Sequence, residues 1–235
     1  MKTLTKAIAA ASLATVSAAS FAGTSLTIGA VSDYNFRGVA LGDAGAWVSV
    51  DYENNGFYAG VWAIDDQGGN TNALNGEDGF EYDTYLGYAG EADGFSYGIG
   101  YSRFDYTYTS TFQHEINLSA ATAGFGIDIA LGVNDVDVDE QDYTVIDLSY
   151  SNGPWGILLG MVDNDDFDDA DAGESEWKRV EISYSGDFGG VDATATIGRA
   201  FDFDVDPDAL ALLGATETSF ASGYIVLDVS KSFDL

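Results

Sequence analysis

The chain has 235 residues, no cysteine, two prolines and a formal net charge of −31. The missing cysteine excludes a disulfide framework and thiolate metal sites, and the charge opposes nucleic acid and anionic surfaces while drawing cations. Mean hydropathy is −0.01, which fits one-for-one alternation of apolar and polar residues, and after the start no apolar run nears the roughly 20 residues of a spanning helix.

Residues 1–22 read as a secretory signal. Lys2 and Lys6 form its charged start, Ala7 to Ala19 is a small-residue apolar stretch, and Ser20-Phe21-Ala22 offers small residues for cleavage. The expected domain is then 23–235.

From Ser25 onward, segments of roughly ten residues alternate apolar and polar side chains, as in Tyr82-Asp83-Thr84-Tyr85-Leu86-Gly87-Tyr88. Twelve strands are expected, over 26–36, 45–51, 57–64, 81–88, 95–105, 111–120, 125–133, 142–150, 155–162, 177–184, 191–201 and 224–233. Tight Gly-bearing turns at 53–56, 90–94, 121–124, 151–154 and 185–190 alternate with links at 37–44, 65–80, 106–110, 134–141, 163–176 and 202–223. That rhythm is the one a membrane barrel uses, with short periplasmic turns and longer outer loops. The fold class is therefore all-β, a single antiparallel transmembrane barrel of about 12 strands with acidic extracellular loops. Pro207 after Asp206 and Gly214 after an apolar run predict a short helix in the last loop.

Phase along each strand separates two faces. One is apolar: Tyr82, Leu86 and Tyr88; Phe95, Tyr97, Ile99 and Tyr101; Phe125, Ile127, Ile129 and Leu131; Trp155, Ile157, Leu159 and Met161; Ile225, Leu227 and Val229. The other carries Asp33, Asp51, Glu81, Asp83, Glu115, Asp128, Asp147, Glu181, Asp192 and Asp228, with Arg37 and Arg179. Unpaired carboxylates are too costly for a dry core but suit a hydrated lumen, so these residues are the expected lumen lining. Arg37, opening the first link, is expected to point into the lumen near the mouth, on the face of Asp33 and Asn35.

Arg103, Lys178 and Arg199 fall in the outward phase near loop ends, where long cations reach headgroup level. Outer-membrane lipid and lipopolysaccharide phosphates are their expected partners. His114, the sole histidine, also reads outward, which leaves no serine–histidine–carboxylate arrangement and points away from an enzyme. No cofactor is expected. Asp163, Asp165, Asp168 and Asp169 are oxygen-rich, yet they lack the ordered loop with its closing glutamate and are only weak metal candidates. The final residues alternate through Phe233 to Leu235, a form of C-terminal strand that barrel-assembly machinery recognises.

At Ala30-Val31-Ser32-Asp33-Tyr34-Asn35-Phe36-Arg37-Gly38 the sequence resembles the opening motif of the TorF-type porin family of proteobacterial outer membranes. Gly56-Phe57-Tyr58-Ala59-Gly60-Val61-Trp62, Glu81 to Tyr88 and Gly94-Phe95-Ser96-Tyr97 are similar to its next blocks. The resemblance implies an outer-membrane barrel with transport activity and supplies no substrate. The resulting expectation is a Gram-negative outer-membrane pore for small hydrophilic solutes, preferring cations. The alternative is a non-conducting structural or adhesive barrel whose acidic loops bind a partner or divalent cations.

Overall fold

A computed structural model describes residues 23–66, 79–107, 110, 112–136, 139–165, 175–204 and 223–235. The signal at 1–22, the centres of the longer links, the helix expected near 207–214, and Asp168 and Asp169 lie outside the described residues.

Fourteen strands form among the described residues: β1 (Gly23–Val31), β2 (Tyr34–Phe36), β3 (Val39–Gly42), β4 (Gly45–Asn54), β5 (Phe57–Asp66), β6 (Gly79–Ala92), β7 (Phe95–Tyr106), β8 (Phe112–Thr122), β9 (Phe125–Val136), β10 (Asp139–Asn152), β11 (Trp155–Asp165), β12 (Ser175–Asp187), β13 (Asp192–Asp204) and β14 (Gly223–Asp234). Twelve of them, β1 and β4 to β14, close an antiparallel barrel. The seam joins β1 to β14, with Ser25 opposite Asp234 and Val31 opposite Asp228. There is no helix among the described residues.

The tight turns set the register. Asn55-Gly56, Asp93-Gly94 and Ala123-Gly124 all have positive φ, the signature of two-residue type I′ turns whose twist matches that of paired strands. With the register fixed, every second side chain points outward. The outer surface is then a continuous apolar belt, with Ile99, Leu131, Leu159, Ile197 and Ile225 exposed between aromatic residues such as Tyr97, Phe125 and Trp155. Such a belt is unstable against water and matches hydrocarbon flanked by interfacial girdles.

One element departs from the expectation. The first strand does not run to Phe36; it ends at Val31, and Tyr34–Phe36 and Val39–Gly42 pair with each other as a separate hairpin. Its turn is Arg37-Gly38, with φ of 53° and 88°, the same I′ geometry as the barrel turns. The Asn35 side-chain oxygen accepts the Gly38 N–H at 3.0 Å and steadies it. Residues 37–44 are therefore no outer loop. They fold into the barrel, because Phe36, Val39 and Leu41 find apolar partners only there.

Candidate functional site

The hairpin fills much of the interior. Val39 joins a buried cluster with Ala130, Tyr143, Val145, Val162, Trp177 and Ala200, and Leu41 packs against it. Phe36 meets Phe104 edge-on, with centroids 5.8 Å apart. Tyr34 donates to Glu81 on β6 at 2.9 Å. At the root, the Ser32 N–H donates to the Leu227 carbonyl and the Leu227 N–H to the Ser32 hydroxyl, each at 2.9 Å. These contacts fix the hairpin at both ends and leave no slack for it to swing as a loose strap.

Its tip completes a charged network. Arg37 is 6% exposed, and its guanidinium donates to Glu115 on β8 at 2.5 Å. Its backbone carbonyl accepts the Trp177 indole N–H at 2.9 Å. Gly38 sits against Arg179 and Ala200 of the facing wall, where a Cβ would lie 3.1 Å from the Ala200 methyl. Arg179, 1% exposed, donates to Asp147 at 2.6 Å and lies 3.2 Å from Glu181. Two guanidinium groups thus face three carboxylates in a dry setting. Any one charge left alone there would be expensive.

Tyrosines supply further donors. Tyr143 donates to Glu115 and Tyr224 to Glu181, both at 2.7 Å, and Tyr85 donates to Asp51. Burial first, then the Glu81 and Asp83 carboxylates, push the hydroxyl of Tyr34, in the non-spanning hairpin, well above its usual range. It therefore remains a donor.

Several rings lie where a wall glycine leaves room: Tyr85 over Gly60, Tyr143 over Gly132, Tyr224 over Gly198 and Trp47 over Gly29. An added Cβ at any of these glycines would overlap the ring. Trp47 crosses β1 in this way and donates to Asp228 on β14 at 2.9 Å, bridging the barrel seam.

The expected lining residues fall as follows. Strand register puts Asp51, Glu81, Asp83, Glu115, Asp128, Asp147, Glu181, Asp192, Asp228 and Arg179 on the inward phase. Of these, Glu81, Asp83, Glu115, Asp147, Glu181 and Arg179 are buried under or beside the hairpin, whereas Asp51, Asp128, Asp192 and Asp228 are half-buried. Asp33 is exposed in the bend after β1, beyond the end of that strand. Arg37 lies in the interior, carried there by the tip of the hairpin.

Arg103, Lys178 and Arg199 point outward. Arg103 is held by Asp105 at 2.8 and 2.9 Å and stacks over Phe112, and Lys178 lies 3.0 Å from Glu176. His114 lies between Phe112 and Tyr101 on the same outer face. No group of three or more metal-ligating side chains occurs among the described residues. Asp163 has an interaction partner, and Asp165 lies in β11.

Sequence reasoning missed the inward aromatics Trp47, Tyr58, Trp62, Tyr85, Tyr143, Trp177 and Tyr224. Their signal was present, for they share the strand phase of the acids.

A central cavity bounded by Arg37, Tyr58, Asn117, Ser119, Asp128 and Asp147 has about 30 Å³ of room. That admits a water or two and no larger solute. The hairpin contacts named above, with that of Tyr34 against Trp62 on β5, fall on β5 to β13, apart from the root. The remaining wall, β14, β1 and β4, presents Ser230, Asp228, Thr27, Trp47 and Asp51.

No protein-family model and no curated protein matches the chain. Among solved structures it is similar to OccAB3 of Acinetobacter baumannii, at 10% identity over 88% of this chain and 60% of that one, with a TM-score of 0.45. It is also similar to OccK9 (OpdG) of Pseudomonas aeruginosa, at 13% identity over 92% and 64%, with a TM-score of 0.46. A BenF-like porin from Pseudomonas fluorescens Pf-5 matches at 10% identity over 92% and 64%, with a TM-score of 0.42. The chain spans less than two thirds of the length of each of these three.

Proposed function

We propose that this barrel is a narrow pore of the Gram-negative outer membrane for small hydrophilic solutes, and that it prefers cations. One observation carries the reading. A closed barrel with an apolar exterior turns nine carboxylates inward against the guanidinium groups of Arg37 and Arg179. Five of these acids lie in or beside the buried network of Arg37 and Arg179, and the half-buried ones are tolerable where water and counter-ions reach them. The buried network offsets part of the charge, and Asp51 on β4 and Asp228 on β14, both half-buried, remain for the hydrated path.

That path runs along β14, β1 and β4, opposite the surface on which the hairpin packs. The resemblance at Ala30 to Gly38 to TorF-type porins supports this reading. Lipopolysaccharide at Arg103, Lys178 and Arg199, and delivery by barrel-assembly machinery, belong to the same proposal.

The test is reconstitution. Heat-modifiable migration in detergent gels checks for the folded barrel, and discrete KCl conductance steps in a planar bilayer check for the pore. A folded barrel that conducts nothing would favour a structural role.

A further inference from the structure

The interior divides into two zones. Beneath the hairpin, Glu81, Asp83, Glu115, Asp147 and Glu181 are all less than a tenth exposed. Beside it, Trp47, Trp62, Asp51 and Asp228 are only half-buried on the inward phase of their strands. The second zone combines two kinds of group that seldom meet by packing alone, large aromatic faces and carboxylates.

Its geometry is definite. The Trp47 ring rests on Gly29, so one face is backed by wall and the other looks into the barrel. The Trp62 ring lies 6.4 Å from it at 36°, and Tyr34 lies 6.1 Å beyond Trp62 at 41°. Asp228 is bound to the Trp47 indole N–H, and Asp51 is on the same strand as Trp47, four residues on. Aromatic faces attract cations, above all those whose charge is spread over methyl groups and whose hydration is weak. A hydrated potassium ion gains little from such a surface, and an anion is repelled by Asp51 and Asp228.

We propose that the strip of Trp47, Trp62 and Tyr34, with Asp51 and Asp228, binds small organic cations on their way through the barrel. The inference rests on the pore reading and names the solute class that this pore favours. If the rings served only to brace the hairpin, they would bind no cation and any tightly packed apolar residue would do in their place.

The probe is tetramethylammonium chloride, added to the refolded full chain in detergent and followed by saturation-transfer NMR, with tert-butanol as an uncharged comparator. Saturable binding on the order of millimolar is expected, with little for tert-butanol. Trp62→Leu should weaken it at least about tenfold, whereas Trp155→Leu, on the outer surface, should leave it unchanged. Trp62→Phe keeps a ring in place and should retain measurable binding even if the leucine variant folds poorly. Equal signals for the two probes, or undiminished binding in a folded Trp62→Leu barrel, would overturn the proposal. KCl conductance on the same preparation tests the pore separately: current without ammonium binding overturns this inference alone, and binding without current overturns the channel.

Discussion

Arg37 holds the interior together from an unusual backbone position. Its φ of 53° is one that Asn, Asp or Gly adopts more readily, at a cost on the order of 1 kcal/mol for other residues. The guanidinium–Glu115 pair and the indole–carbonyl bond from Trp177 offset that cost. Arg37→Ala should destabilise the folded barrel by about 3–5 kcal/mol, because Glu115 would stay buried without its cation. Adding Glu115→Gln should recover part of the loss. Gly38→Ala should cost about 1–3 kcal/mol, since φ is 88° and Ala200 blocks the new methyl. Asp33→Asn, in the exposed bend, should stay within about 0.5 kcal/mol of the parent. Urea midpoints in detergent, or the temperature of the gel shift, would rank the four, and an Arg37→Ala barrel as stable as the parent would dismiss the network as ornament.

Strands and hairpin were unequally legible. Alternation gave the barrel's strand phase because each inward residue has an outward neighbour, and a one-residue slip would have exchanged Asp83 for Tyr82. The hairpin escaped because 34–36 continues the alternation of the first strand, and Arg-Gly lacks the Asn-Gly or Asp-Gly mark of a type I′ turn. Only the contacts of Phe36 and Val39 with distant strands reveal where it goes. Two outcomes follow at this scale. Cysteine placed at Asp33 should react with an impermeant reagent on intact cells, and cysteine at Asp93 in the opposite turn should not; the reverse labelling would invert the barrel. Replacing 34–42 with a short Gly-Ser link should raise single-channel conductance several-fold in folded barrels, and an unchanged conductance would mean that the hairpin does not obstruct the path.

Across the whole molecule, charge and shape act together. The outer belt places the barrel in lipid, closure removes every sheet edge, and the interior concentrates negative charge in a low-dielectric wall that focuses its field. The two lumen guanidinium groups are engaged by Glu115, Asp147 and Glu181, so they do little to balance Asp51 and Asp228 on the side away from the hairpin. The field reaches about 8 Å at physiological salt and less above it, so selectivity should fall as ionic strength rises. The reversal potential of the reconstituted barrel under a KCl gradient tests the account most directly. It should have the sign of a cation-selective pore, move toward zero at high salt, and shrink in Asp51→Asn/Asp228→Asn; a zero or anion-selective potential in the unmodified protein would contradict it.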